Sequence, residues 1–326
     1  MIALSLACGP YDRTLPVVDG RVRMQGVDLT AVALPVEEAL TRAAVNREFD
    51  VAEFSFATYL MTLEKDAPFV AIPVFPSRAF RHSGIFVNAD AGITEPEHLA
   101  GRMVGVPHYH LTAAVWIRGI LSEFHSVPVE SVRYRTGRLD GPVRVQQTPK
   151  VAPGVEIEAI RPDETLGQLL AEGRIDAIYS PRVPPEFRDG DPRIRRLYAN
   201  PRAVETEYYR RTRIFPIMHT IVIRREVYER NRWLAISLMK AFTEAKRIAT
   251  AGLMDTTASS ATLPFAYSEV EDAVELMGQD YWPYGMEANR RTLETLVRYE
   301  QEQGLITKRF AIEDLFAPET LSSAAL

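Results

Sequence analysis

Short apolar runs alternate with helix-spaced segments from the N-terminus to about residue 225, and this alternation most restricts what the chain can fold into. Runs at 2–6, 29–34, 51–54, 69–74, 85–87, 103–106, 155–159, 177–179 and 220–223 read as strands. Between them lie helical segments at 36–46, opened by Pro35, at 58–64 and at 112–123. In the last of these Ala113, Trp116, Ile117, Ile120 and Leu121 recur at helix spacing. Such alternation predicts α/β layers around a largely parallel sheet. After Arg225 the pattern changes, and 233–251, 267–278 and 286–304 read as three helices. The region 136–153, rich in Gly, Pro and polar residues, reads as a surface loop or lid.

A chain of 326 residues exceeds the usual single domain, so two lobes are expected. Two stretches, 75–88 and 210–226, each set an apolar strand beside a dense Arg-rich patch and read as crossovers. The expected division is a discontinuous first lobe, 1–88 with 220–326, carrying the C-terminal helices, and a second lobe, 89–219. A ligand cleft between lobes follows from that topology, because ligands in such sheets sit beyond the C-terminal ends of strands.

Composition narrows the partners. An apolar fraction of 46% supports a sizeable core, and a net charge of −5 with no basic face argues against nucleic acid. A single cysteine, Cys8, excludes an internal disulfide and a Cys-rich zinc site, and reads as a small buried residue ending the first strand. Residues 1–7 carry no basic residue and too short an apolar run for a secretory signal, and no run reaches membrane-spanning length. A cytoplasmic protein without membrane partners is the expectation. The apolar faces of the C-terminal helices leave room for a homo-oligomer.

The residues after each strand carry the chemistry. Tyr11, Asp12 and Arg13 follow the first strand, and Ser55 and Thr58 the third. Ser77, Arg78, Arg81 and His82 follow the fourth. His108, Tyr109, His110 and Thr112 follow 103–106, Ser180 and Arg182 follow 177–179, and His219 precedes the return strand. Guanidinium, hydroxyl and imidazole groups suit carboxylates, and imidazole also moves protons near neutrality. Each arginine has an alternative as a solvated or carboxylate-paired side chain. His98 and His125 read as structural. The PHYH sequence at 107–110 also admits a divalent metal on His108 and His110. That reading needs further ligands from His82, His219 or Asp12, and no HExxH or CxxC supports it.

The segments FDVAEFSFATYL (49–60), AIPVFPSRAFRHSGIFVN (71–88), GVPHYHLTAAVWIRGIL (105–121), FPIMHTIVIRREVY (215–228) and DYWPYGMEANRRTLE (280–294) resemble the 4,5-dihydroxyphthalate decarboxylase family. The likeness runs from about residue 2 to about residue 316, and PSRAFRHS and WPYG are its specific parts. It implies a two-lobed α/β fold of the type 2 periplasmic-binding-protein kind and the decarboxylation of a dihydroxylated aromatic dicarboxylate. Two loops depart from the family pattern: PHYH stands where PEYQ is expected, and TGRLDGPVR (136–144) replaces a Gly-rich, Glu-containing segment.

Ring protonation followed by loss of CO2 needs a base near a phenol, an acid near the ring carbon and cations for a second carboxylate. It requires no organic cofactor. The assignment that follows gives Arg78 and Arg81 the carboxylate and His82 or His219 the proton. Ser55 and Thr112 orient the substrate, and His108 and His110 contact ring hydroxyls or a metal. Tyr11, Arg13, Tyr109 and Arg182 complete the expected binding set for a small aromatic carboxylate. The main competing reading is a binding protein for an aromatic acid on the same fold, without catalysis.

Overall fold

The computed structural model describes residues 1–141 and 149–321. Strands β1 (Ile2–Cys8), β2 (Val27–Ala33), β3 (Val51–Ser55) and β4 (Phe69–Ile72) come first along the chain. They are followed by β5 (Ile85–Asn88), β6 (Met103–Val106), β7 (Arg133–Thr136), β8 (Glu156–Ala159), β9 (Ala177–Tyr179) and β10 (Ile194–Arg196), and β11 (His219–Arg224) closes the series. They form two sheets, ordered β2-β1-β3-β11-β4 and β10-β5-β9-β6-β7-β8.

The chain divides into two compact units: Met1–Arg78, Ile217–Leu293 and Phe310–Leu326 in one, and Ala79–Pro216 with Glu294–Arg309 in the other. This shifts the expected boundaries. Strand β5 pairs with β9 and β10, so 79–88 goes with the second sheet and not the first. The last long helix, Arg290–Glu302, does not stay on the first unit, because from Glu294 onward it belongs to the second. The reason is a close packing there: the Tyr299 ring meets Trp116 edge-on at 5.5 Å, over Gly119. A Cβ on Gly119 would stand 2.1 Å from Tyr299 Cδ2, so only glycine allows this approach.

Each sheet is mixed where a largely parallel one was expected. In the first, β1 runs parallel to β2 and β3, but β11 is antiparallel to both β3 and β4. In the second, β6 runs parallel to β7 and β9 and β7 to β8, whereas β5 is antiparallel to β9 and β10. In both cases a strand that the crossovers deliver, and not a βαβ step, breaks the parallel run. Two strands escape the apolar-run criterion. The outward arginines of β7 hide its alternation, with Tyr134 and Thr136 inward, and β10 is a three-residue edge.

The first unit's core holds Phe56, Phe75 and Phe316, with ring centroids 6.0 to 6.2 Å apart. After Phe316 the backbone N–H of Ala317 donates to the Ala71 carbonyl at 2.9 Å, and Thr320 is buried. The second unit's core centres on Trp116, Tyr134, Tyr179 and Phe86. Among the described residues no helix is long and apolar enough to cross a membrane.

Candidate active site

In the first unit, a carboxylate stands in the middle of an apolar strand. Glu53, at the centre of VAEFS, is 0% exposed. Burying a carboxylate is costly unless it is hydrogen-bonded, and Glu53 is. Its Oε2 accepts from the Gly9 backbone N–H at 2.8 Å, and its Oε1 accepts from the Tyr11 hydroxyl at 2.9 Å. Nδ1 of His219 lies 2.6 Å from the same Oε1. Strand register explains the last contact: β11 runs antiparallel to β3 with His219 opposite Ser55 and Ile221 opposite Glu53, so the His219 and Glu53 side chains are diagonal neighbours on one face.

The loop after β1 is shaped for this arrangement. The Tyr11 ring folds back over Gly9, where a Cβ would lie 2.6 Å from the ring. Thr14 ties the turn, donating to the Gly9 carbonyl at 2.7 Å and accepting from the Tyr11 backbone N–H at 3.1 Å. Burial alone would raise the Glu53 carboxyl, but the His219 ring, the Gly9 N–H and the Tyr11 hydroxyl together hold it below the usual range. Burial and the Glu53 charge push the Tyr11 hydroxyl up, and push the Cys8 thiol up to about 12. Cys8 is therefore an inert core residue.

Beside this group Arg13 is held flat between aromatic rings, 4.4 Å from the Tyr11 centroid and 4.1 Å from that of Trp282. Its Nε donates to the Pro76 carbonyl at 2.6 Å, and NH1 pairs with Asp12 at 3.0 Å. Trp282 in turn donates to the Phe75 carbonyl at 2.9 Å, so the WPYG turn builds one wall of the cluster. Arg78 has a structural task in this turn: it donates to the Pro283 carbonyl at 2.7 Å and to Asn289 Oδ1. Ser55, expected to orient a ligand, caps the helix Phe56–Leu63 by accepting from the Thr58 N–H.

The second unit separates residues that the sequence set side by side. His82 is buried in an aromatic nest, 5.1 Å from the Tyr208 centroid and 5.7 Å from that of Tyr198. Burial pulls its imidazole down to about 4, with the charge of His125 adding to the effect. Its neighbours lead to the C-terminal end of the helix Thr112–His125: Tyr208 packs on Phe124, and the Tyr198 hydroxyl lies 3.4 Å from His125 Nε2. Burial pulls the neighbouring Arg81 guanidinium down to about 10, opposed by Glu205. Arg182 pairs with Asp140 in a half-exposed contact.

His108, Tyr109, His110 and Thr112 lie at the opposite end of that helix. The rise from Thr112 to Phe124 is about 18 Å. The His108 and His110 rings are 5.7 Å apart, and Tyr109 between them is buried. Within the second unit His82 and His108 therefore lie near opposite ends of that helix, and Arg78 belongs to the first unit. A metal site at PHYH would need further donors. Among the described residues no group of three or more His, Cys, Asp or Glu side chains is placed to hold an ion. Part of the second departing loop, 142–144, lies outside the described residues.

His98 and His125 are structural, as read from the sequence. His98 caps a turn by accepting from the Thr94 and Glu95 N–H groups, and His125 Nδ1 lies 3.1 Å from Glu97. Glu53 was missed. The signal was present as a lone acidic residue interrupting the apolar run VAEFS, a pattern that a buried, partnered carboxylate produces.

No protein-family profile matches the chain. It is 38% identical over 324 residues to a 4,5-dihydroxyphthalate decarboxylase of Comamonas testosteroni, covering 99% of this chain and 98% of that one. It is also 38% identical over 209 residues to a 4,5-dihydroxyphthalate decarboxylase of Pseudomonas putida, covering 64% of this chain and 81% of the relative. Among solved structures it resembles the periplasmic aliphatic sulphonate binding protein SsuA of Escherichia coli, with a TM-score of 0.54 at 12% identity. That match covers 98% of this chain and 99% of the other, and it assigns the fold to the periplasmic-binding-protein kind.

Proposed function

The chain belongs to the 4,5-dihydroxyphthalate decarboxylase family, and from that premise we propose that it releases CO2 from a 4,5-dihydroxyphthalate-like aromatic acid with His219, Glu53 and Tyr11 handling the proton. It is accordingly a carbon–carbon lyase. The observation that carries the assignment is the 2.6 Å contact between His219 Nδ1 and the buried carboxylate of Glu53.

Direct loss of CO2 would leave an electron pair in the plane of the ring, outside the π system, and is prohibitively slow. A hydroxyl para to the carboxylate opens another route. The phenol gives up its proton to water, its oxygen pushes an electron pair into the ring, and the carbon bearing the carboxylate takes a proton from the His219 imidazolium. The resulting dienone then breaks the bond to the carboxylate. CO2 leaves, the bonding pair restores the aromatic ring, and the oxygen recovers its proton. The net change is one proton in place of CO2, and the ring oxygen serves as the electron reservoir, so no organic cofactor is called for.

An ionised Glu53 fixes Nδ1 of His219 as the protonated nitrogen, which commits Nε2 to the exchange. It also stabilises the imidazolium that delivers the proton. Gly9 and Tyr11 keep Glu53 ionised without a full counter-charge. Arg13, flattened between Tyr11 and Trp282, is a pre-organised cation for a carboxylate on an aromatic guest. In the second unit, the His108 and His110 rings, 5.7 Å apart, are the imidazoles that this proposal gives to the ring hydroxyls.

Incubating the purified protein with 4,5-dihydroxyphthalate and a panel of hydroxylated benzoates, and measuring CO2, tests the reading. Release from the wild type, abolished in His219→Gln while ligand binding persists, is the expected result. Tight binding with no gas from any substrate would favour the binding-protein alternative that the fold also hosts. Stoichiometric metal, lost when His108 and His110 are replaced, would reassign that pair.

A further inference from the structure

Arg118 is 1% exposed, on the second turn of the helix Thr112–His125; among the described residues it makes no ion pair within 4 Å, and the carboxyl that feels its charge, Glu300, is itself buried with its pKa raised. A guanidinium in that position is expensive to bury, and a methionine would fill the space at less cost. What Arg118 does hold is the loop before its own helix. NH2 donates to the Tyr109 carbonyl at 2.5 Å, and the guanidinium lies 3.8 Å from the centroid of the Tyr109 ring. The other edge of that ring is closed by Tyr134 at 5.3 Å.

A second side chain fixes Arg118 itself. Its Nε donates to Gln303 Oε1 at 2.8 Å, and Gln303 Nε2 donates to the Val115 carbonyl at 2.9 Å. The guanidinium is thus clamped from a separate part of the chain, 185 residues away in sequence, and cannot follow the loop. Tyr109 is the middle residue of His108-Tyr109-His110. Gripping it by both carbonyl and ring therefore determines where the two flanking imidazoles stand.

We propose that Arg118, braced by Gln303, is a positioning residue for the His108–His110 pair: it holds Tyr109 and so sets the spacing of two imidazoles that contact the substrate's hydroxyls. The contact with substrate rests on the reading above, but the positioning does not. Lysine in place of Arg118 keeps the charge and loses the planar fork that donates and stacks at once.

Selective 15N-histidine labelling separates the two. In free Arg118→Lys, the His108 and His110 resonances should shift or broaden, while those of His98 and His125 stay. Gln303→Leu, which leaves the guanidinium in place but unbraced, should move the same two resonances by less. In turnover assays with 4,5-dihydroxyphthalate, KM for Arg118→Lys should rise about tenfold with kcat within about threefold. Unmoved His108 and His110 resonances in both variants would overturn the positioning role, whatever the activity. Should Arg118→Lys fail to fold, the Gln303→Leu spectrum decides alone. Shifted resonances with unchanged KM would retain the brace and overturn the substrate contact. A wild type that releases no CO2 would count against the decarboxylase reading and leave the resonance result standing.

Discussion

His219 and Glu53 lie 166 residues apart in sequence, yet Nδ1 of one is 2.6 Å from Oε1 of the other, on adjacent antiparallel strands. A carboxylate placed behind an imidazole sets its tautomer and its orientation, and general acid–base catalysis depends on both.

Replacing Glu53 by Gln retains the shape and removes the charge. The expected outcome is a fall in kcat of about 100-fold or more with little change in KM, measured as CO2 release. A kcat within threefold of the wild type would remove Glu53 from the proton path.

His82 gives an acid-stability prediction. Its imidazole is pulled down from 6.5 to about 4 by burial. Between those values the unfolded chain binds a proton that the folded one refuses, so the stability contributed by neutral His82 is present above pH 6.5 and lost as pH falls toward 4. The full loss is about 3 kcal/mol. In His82→Phe, thermal unfolding followed from pH 7 to 4 should show a flatter decline, and CO2 release should stay within threefold. An unchanged slope would mean that His82 is solvated.

Glu300 behaves in the opposite sense. It is 0% exposed, neither carboxyl oxygen has a hydrogen-bond partner among the described residues, and burial pushes its carboxyl well above the usual range, the Arg118 charge only partly opposing. Folding must keep that carboxyl protonated while the unfolded chain ionises it, so stability falls as pH rises above about 4.5. Glu300→Gln removes this penalty. The variant should gain in Tm over the wild type at pH 7.5 and lose the advantage near pH 4. An equal difference at both values would show that the carboxyl is not protonated in the fold.

Gly119 is a steric test of the packing between Trp116 and Tyr299. An alanine methyl would fall 2.1 Å from Tyr299 Cδ2, and that ring is fully buried. Gly119→Ala should destabilise by about 1–3 kcal/mol despite the better helix propensity of alanine, read from denaturant unfolding. A stabilised variant would contradict the packing described.

The sequence by itself determined the layered α/β class, most element positions and the five segments that carry the family likeness. These are local properties: apolar periodicity, turn residues and motif identity persist whatever the chain does at long range. It also marked His219, Tyr11 and Arg13, because residues flanking strands are placed by topology. The tertiary structure decided which of the marked groups meet. Within the second unit His82 turns into an aromatic nest near the C-terminal end of the helix 112–125, away from His108 before its N-terminus. Glu53 looked like a flaw in an apolar strand until β11 brought His219 beside it. Whether a buried charge is a defect or a catalytic group depends on its partners, and here all three, Tyr11, Gly9 and His219, come from 42, 44 and 166 residues away.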